Sequence, residues 1–402
     1  MDSEALDYTY EKDYTANFDN ALMAFGVFYA LKNSQLDYDE GLFLIIKQFS
    51  LIVSLCFSML SVLQNFKWTF YNKIAFGLLF FIPLYLRISY TSNILGSSML
   101  ILAAYNIPFS HIARQCIRVL VIAFVIVLGA LAFDLIEDRL YHRDVDNFEN
   151  SFAHDLGFKY YSYYAYLGMG IVQCCLYQWR HQLDLKKIVF LVLLSYIFFV
   201  YSSTRLQLYA CIAFMVAIFV IPYIKSILNN RFLAWLAIVA YPLICILLYF
   251  VSKYFILSIF FSGYEDLNRI TSGRLALNEE ALMRYNVTLW GNDLEFDTSP
   301  TTKDYFYLDS GYLHVLLGDG LVFTVIVLFL YAVLTYKIFK AKAYFLYLWI
   351  LIYAVLNISN GFLVALLENP ILLLAFSDYE SIEYDYNLDV PTYADDEYDI
   401  RE

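Results

Sequence analysis

The sequence predicts an all-α, polytopic membrane protein: a bundle of about eleven transmembrane helices carrying one large extracytoplasmic loop. Three observations carry this. Hydrophobic residues make up 61% of the 402 and charged residues only 16%, where a soluble domain carries roughly 25% charged residues. Mean hydropathy is +0.59. The apolar residues also come in long continuous runs, close to the roughly 20 residues that cross a bilayer as a helix, and not in the short alternating strands of a β-barrel.

Taken in order, residues 1–40 read as an acidic N-terminal segment. "MDSEALDYTYEKDYTANFDN" lacks a basic region followed by an apolar one, so the first span is expected to act as its own insertion signal. The stretch "ALMAFGVFYALKN" that follows is short for a span and suits an interfacial position. Spans are then predicted at 42–63, 74–90, 92–107, 117–136, 160–178, 187–203, 206–224 and 232–252, which fill the region 41–252. A large polar loop, 253–313, interrupts them. Spans at 314–336, 343–358 and 361–376 complete the region 314–376. The acidic end, 377–402, has the composition of a disordered tail.

Orientation follows from lysine and arginine. Lys67, Lys73, Arg114, Arg118, Arg180, Lys186, Lys187, Lys225, Arg231, Lys337, Lys340 and Lys342 fall in alternate loops whose only acid is Asp184. The positive-inside bias places those loops in the cytoplasm. The loop 253–313 then lies outside, together with 137–159 and a tight turn at 201–205. With eleven spans the N-terminus would also lie outside and the acidic tail inside. The net charge of −12 comes largely from the two tails and gives no reason to expect nucleic acid. The six cysteines, Cys56, Cys116, Cys174, Cys175, Cys211 and Cys245, lie in or beside apolar runs without a CxxC pair, as small packing residues do.

The charged groups outside are few. Arg205 sits in "YSSTRLQL", at a helix boundary beside Ser202, Ser203 and Thr204. Arg269, Arg274 and Arg284 lie in the large loop. Arginine offers a fixed fork of donors to phosphate oxygens and stays charged at any relevant pH. A snorkelling role for Arg205, and loop salt bridges from Arg269 and Arg284 to Glu265, Glu279 or Glu280, are the plainer alternatives. In "DYFYLDSGYLHVLLGDGLVF", Asp309 stands where the chain re-enters the bilayer. A partly desolvated carboxylate there suits a general base, and the same position suits a helix N-cap. Tyr312 and His314 follow as candidate substrate contacts, and Asp319 in "GDG" marks a kink or a close helix contact. Glu368, with Asn357, Asn360 and Asn369, lies in an apolar stretch where a carboxyl group needs a cavity or a partner. The five histidines form no zinc pattern, and no metal or other cofactor is expected.

The order of "HDLGFKYYSYYA" (154–165), "SSTRL", a large loop running from "SGRL" to "LWGND", "DSGYLHVLLGDGLV" and a final "ENP" resembles the Wzy-type repeat-unit polymerases of bacterial surface polysaccharide, over roughly residues 50–376. The resemblance implies a GT-C-like polymerase/ligase architecture in the cytoplasmic membrane of a bacterium. It also implies a metal-independent glycosyltransferase that joins oligosaccharide units carried on undecaprenyl diphosphate, alongside a flippase and a chain-length regulator. The implied roles are catalysis for Asp309 and Arg274, diphosphate binding for Arg205, Arg274, Arg269 and Arg284, and substrate binding for Tyr312 and His314. Related ligases read "HNxYL" where this chain reads "DSGYL", so Asp309 occupies the position of a candidate catalytic histidine. A ligase that transfers finished glycan, and a flippase for the lipid-linked unit, are the neighbouring readings. A flippase is expected to show internal repeats and mid-membrane charges, and the polar residues here lie mainly in one loop.

Overall fold

The computed structural model describes residues 3–38, 41–90, 94–143, 151–254, 268, 273–296 and 306–377. The chain is built of helices. α1 (Ser3–Lys32) turns through a short 3₁₀ helix (Gln35–Tyr38) into α2 (Leu42–Asn65), then α3 (Phe70–Tyr90), α4 (Ile94–Ala103) and α5 (Phe109–Ala132). A two-stranded antiparallel hairpin pairs Leu140–Arg143 with Ser151–His154. α6 (Tyr163–Trp179), α7 (Leu185–Ser202), α8 (Arg205–Leu228) and α9 (Arg231–Tyr254) follow. After them come α10 (Arg274–Arg284), a single turn α11 (Gly311–His314), a wide π turn (Val315–Asp319), α12 (Gly320–Ala341) and α13 (Tyr344–Leu356).

Among the described residues seven helical runs are long and apolar enough to cross a membrane: α2, α3, α5, α7, α8, α9 and the run Gly311–Ala341, which includes the π turn. Their outer faces expose residues such as Phe49, Ile52, Phe81, Val189, Phe219, Trp235 and Ile246, a surface suited to lipid and not to water. This is an all-α membrane protein. Three of the expected spans, α4, α6 and α13, have 10, 17 and 13 residues, short of a full crossing, and lie largely inside the bundle. All ten residues of α4 are buried, as expected for a helix with no polar face.

Two further expectations change. The acidic N-terminal segment does not lie along an interface: α1 packs lengthwise, antiparallel, on α2. Asn17 donates to Gln64 (2.8 Å) at one end, Ser54 donates to the carbonyl of Ala21 (2.9 Å), and Asp37 meets Lys47 at the other end. Phe18, Ala21, Leu22, Phe25 and Tyr29 form its buried stripe at helical spacing. α1 thus begins at the end of the bundle opposite to the one expected for the N-terminus. The eleventh span, 361–376, is a passage through the bundle but not an α-helix. From Asn357 to Ser377 the chain is turns and one 3₁₀ helix (Pro370–Ala375), almost entirely buried. Apolar irregular backbone at this depth needs partners from its neighbours. Tyr331 donates to the carbonyl of Leu363 (2.9 Å), Tyr353 to that of Glu368, and Lys337 to that of Ala375 (2.9 Å).

The loops rich in lysine and arginine gather at one end of the bundle. There Asn106 N–H bonds the carbonyl of Phe376 (2.9 Å), and Asn229 donates to the Tyr344 hydroxyl (2.9 Å). The other end, the site end, collects residues 33–38 and 41, the hairpin, the start of α6, α10 and residues 306–314.

Candidate active site at one end of the bundle

Asp309 and Arg274 come together although 35 residues separate them. Arg274 opens α10, just after Gly273, whose φ of +80° takes the left-handed conformation that turns the chain into the helix. Asp309 precedes α11. Ser310, not Asp309, caps that helix, its hydroxyl accepting from Leu313 N–H at 3.4 Å. Gly311 N–H is bonded by the carbonyls of Asn357 and Asn360, both at 3.0 Å, which pins Asp309 against the irregular passage. Arg274 Nε donates to Asp309 Oδ2 at 3.0 Å, with side chains 30% and 25% exposed respectively. Burial raises the pKa of Asp309 above the ordinary carboxylate value, and the guanidinium of Arg274 works against that rise. Among the described residues the other carboxylate oxygen, Oδ1, has no hydrogen-bond partner, and Arg274 keeps its two terminal nitrogens for a ligand.

Tyrosines surround this pair. Tyr166 lies within electrostatic range of both charges, and its hydroxyl donates to Asn360 Oδ1 at 3.4 Å. Tyr307 bonds Tyr163, and its own phenol is pushed up by Tyr163, by burial and by Asp309.

A second cluster adjoins the first. Lys47, from the second turn of α2, and Lys159 both form ion pairs with Asp37. Burial opposes the charge on Asp37, but the hydrogen bonds from Lys159 and Lys47 prevail and hold its pKa below the ordinary range. Lys159 is positioned by pairing of its neighbours with the end of α1: its N–H bonds the carbonyl of Asn33 (2.9 Å) and Ser34 bridges Phe158. The buried Asp155 braces the same loop, accepting from Arg139 N–H and Gly157 N–H at 3.0 Å each and from Gln35. Lys32, the last residue of α1, feels Lys159, Asp37, Arg87 and Lys47, and its pKa falls to about 8, chiefly through burial. Arg87, from the last turn of α3, also reaches Gln48 at 3.5 Å. Tyr163 joins the two clusters, bonding Tyr307 on one side and standing within electrostatic range of Asp37 on the other.

These cations were not among the candidates taken from the sequence, which favoured loop arginines. The available signal was placement. Lys32, Lys47, Arg87 and Lys159 all fall at the ends of helices on the face opposite the lysine-rich loops, where the positive-inside bias gives cations no topological reason to accumulate.

The remaining candidates are dispersed. Arg205 is exposed at the first residue of α8. Arg284 is exposed, paired with Glu280 one turn away and lying over the Phe306 ring (4.3 Å to its centre). Arg269 lies outside the described residues. Tyr312 is wholly enclosed: its ring lies 6.0 Å from that of Tyr241 and its hydroxyl donates to the carbonyl of Ala354 (2.8 Å), so it is a core residue and does not reach a substrate. His314 is half-buried, stacked on Phe296 (5.7 Å, 22°) and within electrostatic range of Lys32. Among the described residues no three His, Cys, Asp or Glu side chains gather in a way that could hold a metal ion.

The stretch "LWGND" has a structural task. The helical run from Gly311 is broken at Gly318–Gly320, and residues 288–292, a bend that turns at Gly291 (φ +88°), lie across the break. Asn292 N–H bonds the carbonyl of Leu317 (2.9 Å), while Leu321 N–H and Val322 N–H bond the carbonyls of Thr288 (2.9 Å) and Leu289 (3.2 Å). The loop supplies the backbone partners that the interrupted helix lacks. Asp319 lies within the break and is buried.

No protein-family model, curated protein or solved structure matches this chain.

Proposed function

We propose that the protein is a glycosyltransferase of the bacterial cytoplasmic membrane that joins oligosaccharide units carried on undecaprenyl diphosphate. The observation that supports this reading best is the Arg274–Asp309 pair. It is a half-covered carboxylate with one oxygen open, held by an arginine whose terminal nitrogens are open too. The pair sits at the end of a membrane bundle opposite its lysine-rich loops, and by the positive-inside bias that end faces away from the cytoplasm. An enzyme on that face has no nucleotide-sugar to draw on, and a lipid-linked diphosphate sugar meets the need for a donor already activated.

In this mechanism Asp309 Oδ1 accepts the proton of the acceptor hydroxyl, whose oxygen attacks the anomeric carbon of the donor. The bond from that carbon to the diphosphate oxygen breaks, and the electron pair leaves with the diphosphate. Arg274 stabilises the charge developing there, in a site where reduced solvation strengthens each contact. In-line attack inverts the anomeric centre. The tyrosine rings about the pair offer apolar faces and hydroxyls to sugars.

The deciding experiment sizes the lipid-linked glycans of a deletion strain and assigns them to a membrane leaflet. Single repeat units on the outer leaflet are expected. Single units confined to the inner leaflet would mean a flippase, and long chains retained on lipid would mean a ligase.

Two variants refine the assignment. Arg274→Gln leaves Asp309 without its cationic partner. The carboxyl pKa, already raised by burial, rises further, so the acidic limb of the pH–activity profile moves to higher pH. A profile lowered in height but unmoved along the pH axis would separate Arg274 from Asp309. Arg284→Ala removes an exposed i,i+4 pair worth about 0.3–0.5 kcal/mol, so polymer yield and length should stay within about twofold of wild type. A large loss would restore Arg284 to the diphosphate site.

A further inference from the structure

We infer that Lys32, Lys47, Arg87 and Lys159 form an anion-recognition site for a group bearing two or more phosphate charges, gated internally by Asp37. The inference goes beyond the proposed reaction, because it concerns binding and is tested by binding.

The argument starts from charge. Among the described residues four cations converge at the site end from α1, α2, α3 and the segment before α6, with one carboxylate, Asp37, paired among them. Asp37 is shared between Lys47 and Lys159, whose side chains are only 12% and 24% exposed. One carboxylate neutralises one of these lysines and leaves the second charge uncompensated. Lys32 has no hydrogen-bond or ion-pair partner among the described residues. A half-buried ammonium surrounded by other cations is costly, since both desolvation and like charge oppose it. Its lowered pKa reflects that cost. Buried charges are ordinarily paired; among the described residues this cluster carries an excess that a bound polyanion would complete. Lysine suits such a role, with three rotatable donors on a flexible stem directed at a compact anion.

The surroundings also fit. Lys159 lies over the ring of Tyr38 (5.3 Å to its centre), which limits the directions its ammonium points. Tyr163 stands between this cluster and Tyr307 beside Asp309, so an anion held here lies next to the Arg274–Asp309 pair. Asp37 then occupies the position of a resident substitute anion. It holds Lys47 and Lys159 in place in the empty site and competes with the incoming phosphates for them.

Two sources share this chemistry: the diphosphate of a prenyl-linked donor and a free phosphate species. The test uses the purified full-length protein in nanodiscs of neutral lipid, titrated with inorganic pyrophosphate and separately with a short-chain prenyl diphosphate. Binding is followed by calorimetry at low and moderate salt. Saturable, salt-sensitive binding is expected. Lys32→Gln, and the pair Lys47→Gln with Lys159→Gln, should each weaken it at least tenfold, whereas Lys159→Arg retains it. Asp37→Asn is the discriminating variant. Removing the competitor should tighten binding severalfold, an outcome that a bracing role for Asp37 does not produce. Binding of both probes would show that the phosphates alone are read; binding of the prenyl diphosphate only would identify the lipid-borne group as the ligand, and either result supports the site. No binding of either probe, or binding unchanged in correctly folded Lys32→Gln and Lys47→Gln/Lys159→Gln proteins, overturns the inference. The measurement reads binding without turnover, so a failure of the proposed reaction leaves it intact.

Discussion

Asp309→Asn is expected to reduce glycan polymerisation by about 10²–10⁴-fold, the usual contribution of a positioned general base, while the protein still inserts and folds. The substitution is nearly isosteric. The amide oxygen of asparagine still accepts from Arg274 Nε, so the contact that ties α10 to the start of α11 persists. Ser310 supplies the helix cap, so α11 does not depend on the carboxylate. What disappears is the ability to take a proton. Lipid-linked glycans from a deletion strain complemented with the variant should therefore resemble those of the uncomplemented strain. Asp309→Glu keeps the chemistry but displaces it by one methylene and should recover part of the activity. Polymer of normal length from Asp309→Asn would remove the carboxylate from the mechanism.

The largest structural effect is expected at Gly320. Its φ of +87° and ψ of 167° lie in a region populated almost only by glycine, where another residue costs about 1–3 kcal/mol. A Cβ there would stand 2.3 Å from the backbone nitrogen of Gly291 and 2.5 Å from the carbonyl oxygen of Leu289. Neither atom can move without opening the hydrogen bonds that join 288–292 to the helix break. Gly320→Ala should therefore release the loop, lower the thermal midpoint of the purified protein, and expose 285–296 to protease. Gly318→Ala, two residues earlier, is the control. Its added methyl meets only the flexible end of Leu294, at 3.1 Å, and should be tolerated. Equal behaviour of the two variants would contradict the docking described here.

The helices were legible wherever a continuous apolar run decides the matter, as in α2, α5, α8 and α9. The irregular passage was not. "FLVALLENPILLLAF" has the composition of a span, and nothing local shows that its carbonyls are met by Tyr331, Tyr353 and Lys337 from elsewhere in the chain. α1 was hidden for the opposite reason: acidic residues in its first half dilute a stripe that is nonetheless regular from Phe18 to Tyr29. Nor does any local pattern mark Tyr241, Tyr312 and Tyr331 as buried donors to main-chain carbonyls. At the site, Asp309 and Arg274 could be named individually, but their contact could not, because it spans the loop. The cluster about Asp37 depends on four separate segments and has no motif at all.

The passage from Asn357 to Ser377 also bears on how the molecule is made. A helix enters a bilayer with its own backbone hydrogen bonds already formed, one segment at a time. This segment has no such ladder and would expose bare carbonyls to lipid if it arrived alone. Its partners, the hydroxyls on α12 and α13 and the face of α6 at Tyr166 and Gly170, must be assembled before it is admitted. It is therefore the last piece of the bundle to be seated, and until then the floor beneath Asp309, which rests on Asn357 and Asn360, does not exist. Seating of this passage and assembly of the Arg274–Asp309 site become a single late event in biogenesis.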